Sequence, residues 1–231
     1  MRAYILCGGF GTRLKSVTKN TQKAMVEIHG QPFLLKVLEQ LALAGVTEAV
    51  LCAHYRADQI ADNLQLLSEQ TGLLLQIVVE PVPLGTGGAL LNALRECPPE
   101  QRYLVLNADT FLDAQAYSLL IASQGYAIVG VSVEDRSRYG SLTVDEGGFL
   151  SGFQEKGVAG AGVINAGVYV FAAAAFSANA VITCSLETDL LPPLLSHTPV
   201  SVVKYTGRFI DIGTPESLAL YAQNYQKNIF L

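Results

Sequence analysis

Positive charge is scarce in this sequence and nowhere gathered: 15 Lys and Arg stand against 20 Asp and Glu, a net charge of −5. A nucleic-acid binder presents a basic stripe, so its absence removes that class. A small anion held by a local cluster of cations and backbone N–H groups remains open. Cysteine is also sparse. Cys7, Cys52, Cys97 and Cys184 are widely spaced and form no C-x-x-C, which reads as buried thiols in a reducing compartment. His29, His54 and His197 lack ligand spacing, so no zinc site is expected. No linker, low-complexity run or internal repeat divides the chain. Its 231 residues, half of them hydrophobic, suffice for one sizeable core and not for two independent enzyme domains.

Charge is missing altogether over residues 157–186, a stretch long enough to cross a bilayer. Its glycines, asparagines and Ser/Thr break it instead into a glycine-rich loop, a strand and a short alanine-rich helix. No basic segment precedes an apolar signal core. The expectation is a soluble cytoplasmic protein with no membrane contact.

What the sequence does have is alternation. Apolar, β-rich runs at 3–7, 48–53, 73–80, 103–107 and 127–133 are separated by segments of helical spacing. In "PFLLKVLEQLALAG", Leu34, Val37, Leu38 and Leu41 recur at helical intervals, with Pro32 suited to the first turn and Gly45 to the stop. Residues 57–70 and 86–96 read the same way. Such alternation predicts right-handed βαβ units and a parallel sheet covered on both faces. After about residue 134 the rhythm changes. "YGSLTVDEGGFLSGFQEK" reads as a hairpin and "NAGVYVF" as a strand, followed by a helix near 186–196 and a strand near 201–205. Thr214 then caps a last helix with Pro215 at its first position. The predicted fold is α/β: a Rossmann-like, GT-A-like, mostly parallel sheet with flanking helices and a smaller antiparallel portion. One domain spans 1–231, with a nucleotide-binding core over about 1–134 and a smaller antiparallel portion over about 135–231.

In open α/β sheets ligands sit outside the carboxyl ends of the strands, and "ILCGGFGTRL" (residues 5–14) ends the first one. Its glycines let successive N–H groups approach an anion, and Arg13 adds a fork of donors suited to phosphate. The P-loop spacing is absent. The third glycine of the dinucleotide fingerprint would fall at Leu14.

"GGFGTRL", Lys23 in "QKAMVEIHGQPFL", "EPVPLGTGGAL", "NADT", "FQEKG", "NAGVYVF" and "FIDIGTPESL" follow one another in that order. Together they resemble the sugar-1-phosphate nucleotidyltransferases over nearly the whole chain, from residue 3 to about residue 220. Within that family the likeness is closest to the D-glycero-D-manno-heptose 1-phosphate guanylyltransferases, with the mannose-1-phosphate guanylyltransferases next. There are departures. Proline flanks the lysine in the family, whereas Gln22 and Ala24 flank Lys23, so a looser loop is expected. The family's Asn-Gly-Asp is here Asn107-Ala108-Asp109, and alanine cannot enter glycine-only backbone regions, so some change of loop geometry is expected.

The resemblance implies a reaction in which the phosphate oxygen of a sugar 1-phosphate attacks the α-phosphorus of GTP and releases pyrophosphate. A phosphate dianion is already nucleophilic and needs no general base, in keeping with the lack of a histidine dyad or serine triad. Positioning and charge neutralisation remain. By resemblance, Arg13, Lys23 and Lys156 are the catalytic cations. Leu6, Gly8, Gly9, Gly11, Thr12, Glu80, Gly85 and Thr86 hold the nucleotide. Gly140, Glu155 and Asn165 surround the sugar, where the glycine of "NAGVY" would allow close backbone approach. Asp109 and Asp211 bind Mg²⁺, while Asp189 reads as a helix N-terminal charge. In relatives that use thymidine or uridine nucleotides a glutamine stands where Glu80 stands. A carboxylate has only acceptors and suits the N1–H and N2–H₂ donors of guanine. A glucose 1-phosphate thymidylyl- or uridylyltransferase is the further alternative within the family. A GT-A glycosyltransferase usually carries D-x-D, which Asp109-Thr110-Phe111 does not match. A non-catalytic nucleotide sensor would have no need of both aspartates, Arg13 and both lysines. The sequence leaves open the oligomeric state, a homo-oligomer included. It also leaves open whether the product feeds a lipopolysaccharide, capsule or S-layer glycan.

Overall fold

The computed structural model describes residues 1–18, 20–154 and 156–226. In chain order the elements are β1 (Arg2–Leu6), α1 (Lys15–Thr18), β2 (Glu27–Ile28), β3 (Gln31–Pro32), α2 (Phe33–Leu43), β4 (Glu48–Ala53), α3 (Ala57–Thr71), β5 (Leu74–Val79), α4 (Gly85–Glu96), β6 (Tyr103–Asn107), β7 (Thr110–Leu112), α5 (Ala114–Ala122), β8 (Tyr126–Val133), β9 (Ser141–Val144), β10 (Leu150–Gln154), β11 (Gly162–Phe171), α6 (Leu191–Leu195), β12 (Val200–Tyr205), β13 (Phe209–Asp211) and α7 (Pro215–Gln226). Single 3₁₀ turns cover Thr12–Leu14 and Lys23–Met25.

One mixed sheet organises the molecule. β5, β4, β1 and β6 lie side by side and parallel. β11 then joins antiparallel to β6 and carries β8 on its other side, with β12 parallel to β8 at that edge. The β9–β10 hairpin attaches beside β11. This is the expected α/β, Rossmann-like fold. The antiparallel strands continue the parallel sheet.

β1, β4 and β6 are apolar on both sides because both faces are buried, while β5 at the sheet edge is partly exposed. Along β1, Ala3 and Ile5 face a core built with Leu34, Val37, Leu38 and Leu41 of α2 and Ile60 of α3, while Tyr4 faces a second core with Leu90 and Leu91 of α4. The side-chain period of two thus feeds two layers at once. Helix ends follow local chemistry. Gly72 closes α3 at φ 72°, and its N–H donates to the Ser68 carbonyl (2.8 Å). Thr214 Oγ1 accepts from Ser217 N (3.3 Å) at the start of α7, as expected. All four cysteines are free thiols, and Cys7, Cys52 and Cys184 are buried. Among the described residues no helix is long and apolar enough to cross a membrane.

Two expectations need correction. The alanine-rich stretch after β11 forms turns over 173–178, not a helix. Phe176 is buried against Phe171 with ring centroids 5.1 Å apart, and its φ of 62° is incompatible with continuing a helix. The helix near 186–196 begins instead as one π-helical turn over Leu186–Leu190 before α6. Pro192 and Pro193 lack the N–H groups that would bond the carbonyls four residues back.

Candidate active site

The carboxyl ends of β1 and β6, with Glu80 just past β5, border a cavity of about 320 Å³, walled by Leu6, Gly8, Gly9, Lys23, Glu80, Gly85 and Thr86. A second cleft of about 510 Å³ contains Arg13, Gly140, Lys156, Asn165 and Asp211. Thr86, Asn107 and Asp109 line both, so the two spaces meet there. The structure therefore brings together nearly all residues expected from sequence. Gly11 and Thr12 line neither space; Gly11, at φ 58°, turns the loop over the Lys23 side chain. Glu155 lies outside the described residues.

At the junction, two carboxylates are set side by side by backbone pairing. Thr110 of β7 pairs with Asp211 of β13, and Ile212 N donates to the Asp109 carbonyl (2.9 Å). Burial, then the charge of Asp109, pushes the Asp211 carboxyl above its ordinary value, partly opposed by Lys23. Lys23 Nζ forms an ion pair with Asp109 Oδ2, and Arg138 stands 4.0 Å from Asp211. Among the described residues no group of three or more His, Cys, Asp or Glu could hold a metal alone.

The loop carrying Lys23 is tied down, contrary to the looser loop expected of Gln22. Gln22 is buried; its Oε1 accepts from Ala24 N (2.5 Å) and Met25 N (3.2 Å), and its Nε2 donates to the Cys7 carbonyl (2.6 Å). Its own N–H donates to Gln59 Oε1 (2.7 Å). Side-chain hydrogen bonds thus fix the turn from which Lys23 projects. Ala108 likewise needs no special backbone, since its φ is not positive and its N–H donates to the Leu6 carbonyl (3.2 Å).

Glu80 follows β5 and is 4 % exposed. Its Oε2 accepts from Leu84 N (3.0 Å), while the buried Oε1 has no partner. Burial holds its carboxyl above the ordinary value, offset by the Leu84 N–H and by His54. A Cβ on Gly8 would come within 2.8 Å of Oε1, so the glycine makes room for this carboxylate.

Other glycines serve packing. Gly87 and Gly88 N–H groups donate to the Cys184 carbonyl (3.0 and 3.2 Å), so the start of α4 is already capped from within the protein. A Cβ at Gly85, Gly87 or Gly88 would run into the backbone of 182–186 crossing there. The Thr86 hydroxyl is similarly engaged, accepting from Leu186 N (2.9 Å) and donating to Glu187 (3.0 Å). The space beside Gly167 is filled by the Asn107 side chain, which corrects the expectation that the glycine admits the sugar. Asp189 accepts from Ser185 N (2.7 Å), the N-terminal helix role expected of it.

Sequence reading missed Glu187, Tyr169 and Gln22. Glu187 and Tyr169 sit in stretches that read as a helix start and a buried strand. Only the polar atoms they carry into apolar surroundings hint at more.

A protein-family model described as nucleotidyl transferase matches residues 2–228. The D-glycero-alpha-D-manno-heptose 1-phosphate guanylyltransferase of Campylobacter jejuni is 33 % identical over 216 residues, covering 94 % of this chain and 96 % of that protein. A mannose-1-phosphate guanylyltransferase catalytic subunit beta from Drosophila pseudoobscura is 34 % identical over 222 residues, covering 93 % of this chain but only 60 % of that longer protein. The crystal structure of HddC from Yersinia pseudotuberculosis superposes with a TM-score of 0.84 at 35 % identity, covering 97 % of this chain and 99 % of that one; HddC has also been solved complexed with GMP-PN.

Proposed function

The chain belongs to the nucleotidyl transferase family, and from that premise we propose that it joins GTP to D-glycero-α-D-manno-heptose 1-phosphate, giving the GDP-sugar and pyrophosphate. The observation that carries the nucleotide is Glu80. A buried carboxylate oxygen without a donor, walling a cavity at the sheet's carboxyl edge, is an acceptor in want of N–H groups. Guanine supplies two neighbouring ones, N1–H and N2–H₂. The Campylobacter relative supports heptose as the sugar. Mannose 1-phosphate is the second reading, because the Drosophila relative is equally similar.

The nucleotide would occupy the smaller cavity and the sugar phosphate the larger cleft, so that the α-phosphate lies at the junction beside Asp109. A phosphate oxygen of the sugar forms the new bond to the α-phosphorus, and the bond to the β-phosphate oxygen breaks, its electron pair leaving on pyrophosphate. Lys156, on the sugar side, would offset the charge of the attacking phosphate. Arg13 and Lys23 would offset the triphosphate and the charge growing on pyrophosphate. The Gln22 hydrogen bonds keep Lys23 in place for this. Asn165 and Gly140 would contact the sugar.

The two aspartates fit Mg²⁺, an oxygen-seeking cation that binds through one or two carboxylates plus substrate phosphates. Burial and the Asp109 charge raise the cost of ionising Asp211, a cost that a divalent cation between the two would offset. When bound, Mg²⁺ would supply charge neutralisation for the phosphates. The testing experiment is pyrophosphate release from GTP that depends on added sugar 1-phosphate, across heptose, mannose and glucose 1-phosphates.

A further inference from the structure

On the sugar side of the larger cleft, a hydrogen-bond relay runs through Asn165, Tyr169 and Glu187 and ends on α4. Asn165 Oδ1 accepts from Gly167 N (2.8 Å), and Asn165 Nδ2 donates to the Tyr169 hydroxyl (2.6 Å). That hydroxyl donates to Glu187 Oε1 (3.0 Å). Glu187 Oε2 accepts from Thr86 Oγ1 (3.0 Å) and Ser185 Oγ (3.1 Å). Both ends of the relay are chemically one-way. A main-chain N–H can only donate, which assigns the amide oxygen of Asn165; an ionised carboxylate can only accept, which assigns the single proton of Tyr169. Between them no other proton arrangement satisfies every member.

The backbone is shaped for this. The ladder between β11 and β8 shifts register between Asn165 and Tyr169, and Gly167 takes φ 70° in that interval. Tyr169 is 1 % exposed, so its hydroxyl has no solvent to turn to. Asn165 and Glu187 line the cleft.

We propose that Glu187 is a positioning residue for sugar recognition: by taking the Tyr169 proton it fixes the Asn165 amide, leaving one N–H of Asn165 to donate to a sugar hydroxyl. The inference rests on the larger cleft being the sugar site. In Glu187→Gln the carboxamide offers both donor and acceptor. The Tyr169 proton is then no longer held in one direction, and the Asn165 amide loses its single orientation. Through the Oε2 bonds the same carboxylate holds the start of α4, so Glu187→Gln alone mixes two effects. Tyr169→Phe breaks only the arm to Asn165.

The test is a double-mutant cycle on KM for sugar 1-phosphate and, separately, KM for GTP, with thermal melts confirming folded proteins. Tyr169→Phe is expected to raise the sugar phosphate KM about tenfold, the scale of one lost hydrogen bond, with GTP KM within about twofold. Adding Tyr169→Phe to Glu187→Gln is expected to raise the sugar phosphate KM no further than Glu187→Gln does alone. An unchanged KM in Tyr169→Phe, or rises that multiply in the double variant, would overturn the relay. If the parent turns over no sugar phosphate, the proposed reaction fails by itself, and the relay is read by NMR instead. The Asn165 side-chain amide signals, assigned by their loss in Asn165→Asp, must shift in both Tyr169→Phe and Glu187→Gln. Unshifted signals refute the relay whatever the substrate.

Discussion

Replacing Glu80 by glutamine exchanges one carboxylate oxygen for an amide NH₂ without changing shape. The Leu84 N–H bond (3.0 Å) needs only one oxygen and survives. What changes is the partnerless buried Oε1, which becomes a donor. Facing the donors of guanine, it loses a hydrogen bond to a charged group, which contributes roughly 1.5–3 kcal/mol. The expected loss in kcat/KM for GTP is therefore about 10- to 150-fold. UTP or dTTP, whose N3–H and O4 match an amide, should gain. Stability should move the other way. Burial raises the folded-state pKa of Glu80 above its unfolded value. The folded protein therefore carries a penalty that is absent in acid and builds as pH rises through the carboxylate range. Glutamine removes that penalty, so the variant should melt at or above the parent temperature near neutral pH. The loss of GTP use then cannot be unfolding. The same shift predicts that parent kcat/KM for GTP falls in acid at a higher pH than an ordinary glutamate would give. The assay is pyrophosphate release with each nucleotide at fixed sugar phosphate, alongside thermal melts. A GTP-to-UTP preference within twofold of the parent would refute the role given to Glu80.

Asp109→Asn and Asp211→Asn should each nearly abolish turnover. Asp211→Asn should also raise the melting temperature in metal-free buffer, since burial and the Asp109 charge both oppose ionisation there; near-parental kcat at saturating Mg²⁺ would remove that residue from the metal site. Arg13→Ala should lower kcat by about 100-fold or more with a smaller change in GTP KM, because charge on pyrophosphate grows in the transition state; an effect confined to KM would contradict this. Gly88→Ala should destabilise by about 1–3 kcal/mol in denaturant melts, because the new Cβ meets the Ile182 carbonyl. An unchanged midpoint would mean that the 182–186 crossing yields freely.

The parallel strands β1, β4 and β6 were legible because both faces are buried and the runs are almost wholly apolar. The glycine loop was legible because flexible backbone beside Arg13 follows the first of them. The β7–β13 ladder was not: each strand has three residues, and Thr110 meets Asp211 from a distant part of the chain. The aspartates could be named as residues, but their adjacency came only with that pairing. Gln22 was misread because a polar residue in place of a rigid one suggests slack. The hydrogen bonds that bind it are nonlocal, to Cys7 and Gln59. Gly85 was expected at the nucleotide and does wall the cavity, but with Gly87 and Gly88 it also answers to a segment about a hundred residues later. Glu187 stayed hidden for the same reason, since its partners Thr86 and Tyr169 lie in other elements.

The central claim is tested most directly by following pyrophosphate from GTP with Mg²⁺ while D-glycero-α-D-manno-heptose 1-phosphate is added, and comparing kcat/KM with that for α-D-mannose 1-phosphate. The account predicts release that depends strictly on the sugar phosphate and a kcat/KM higher for the heptose. Equal or better use of mannose 1-phosphate would contradict the choice of sugar, and no release with any sugar phosphate would contradict the reaction itself.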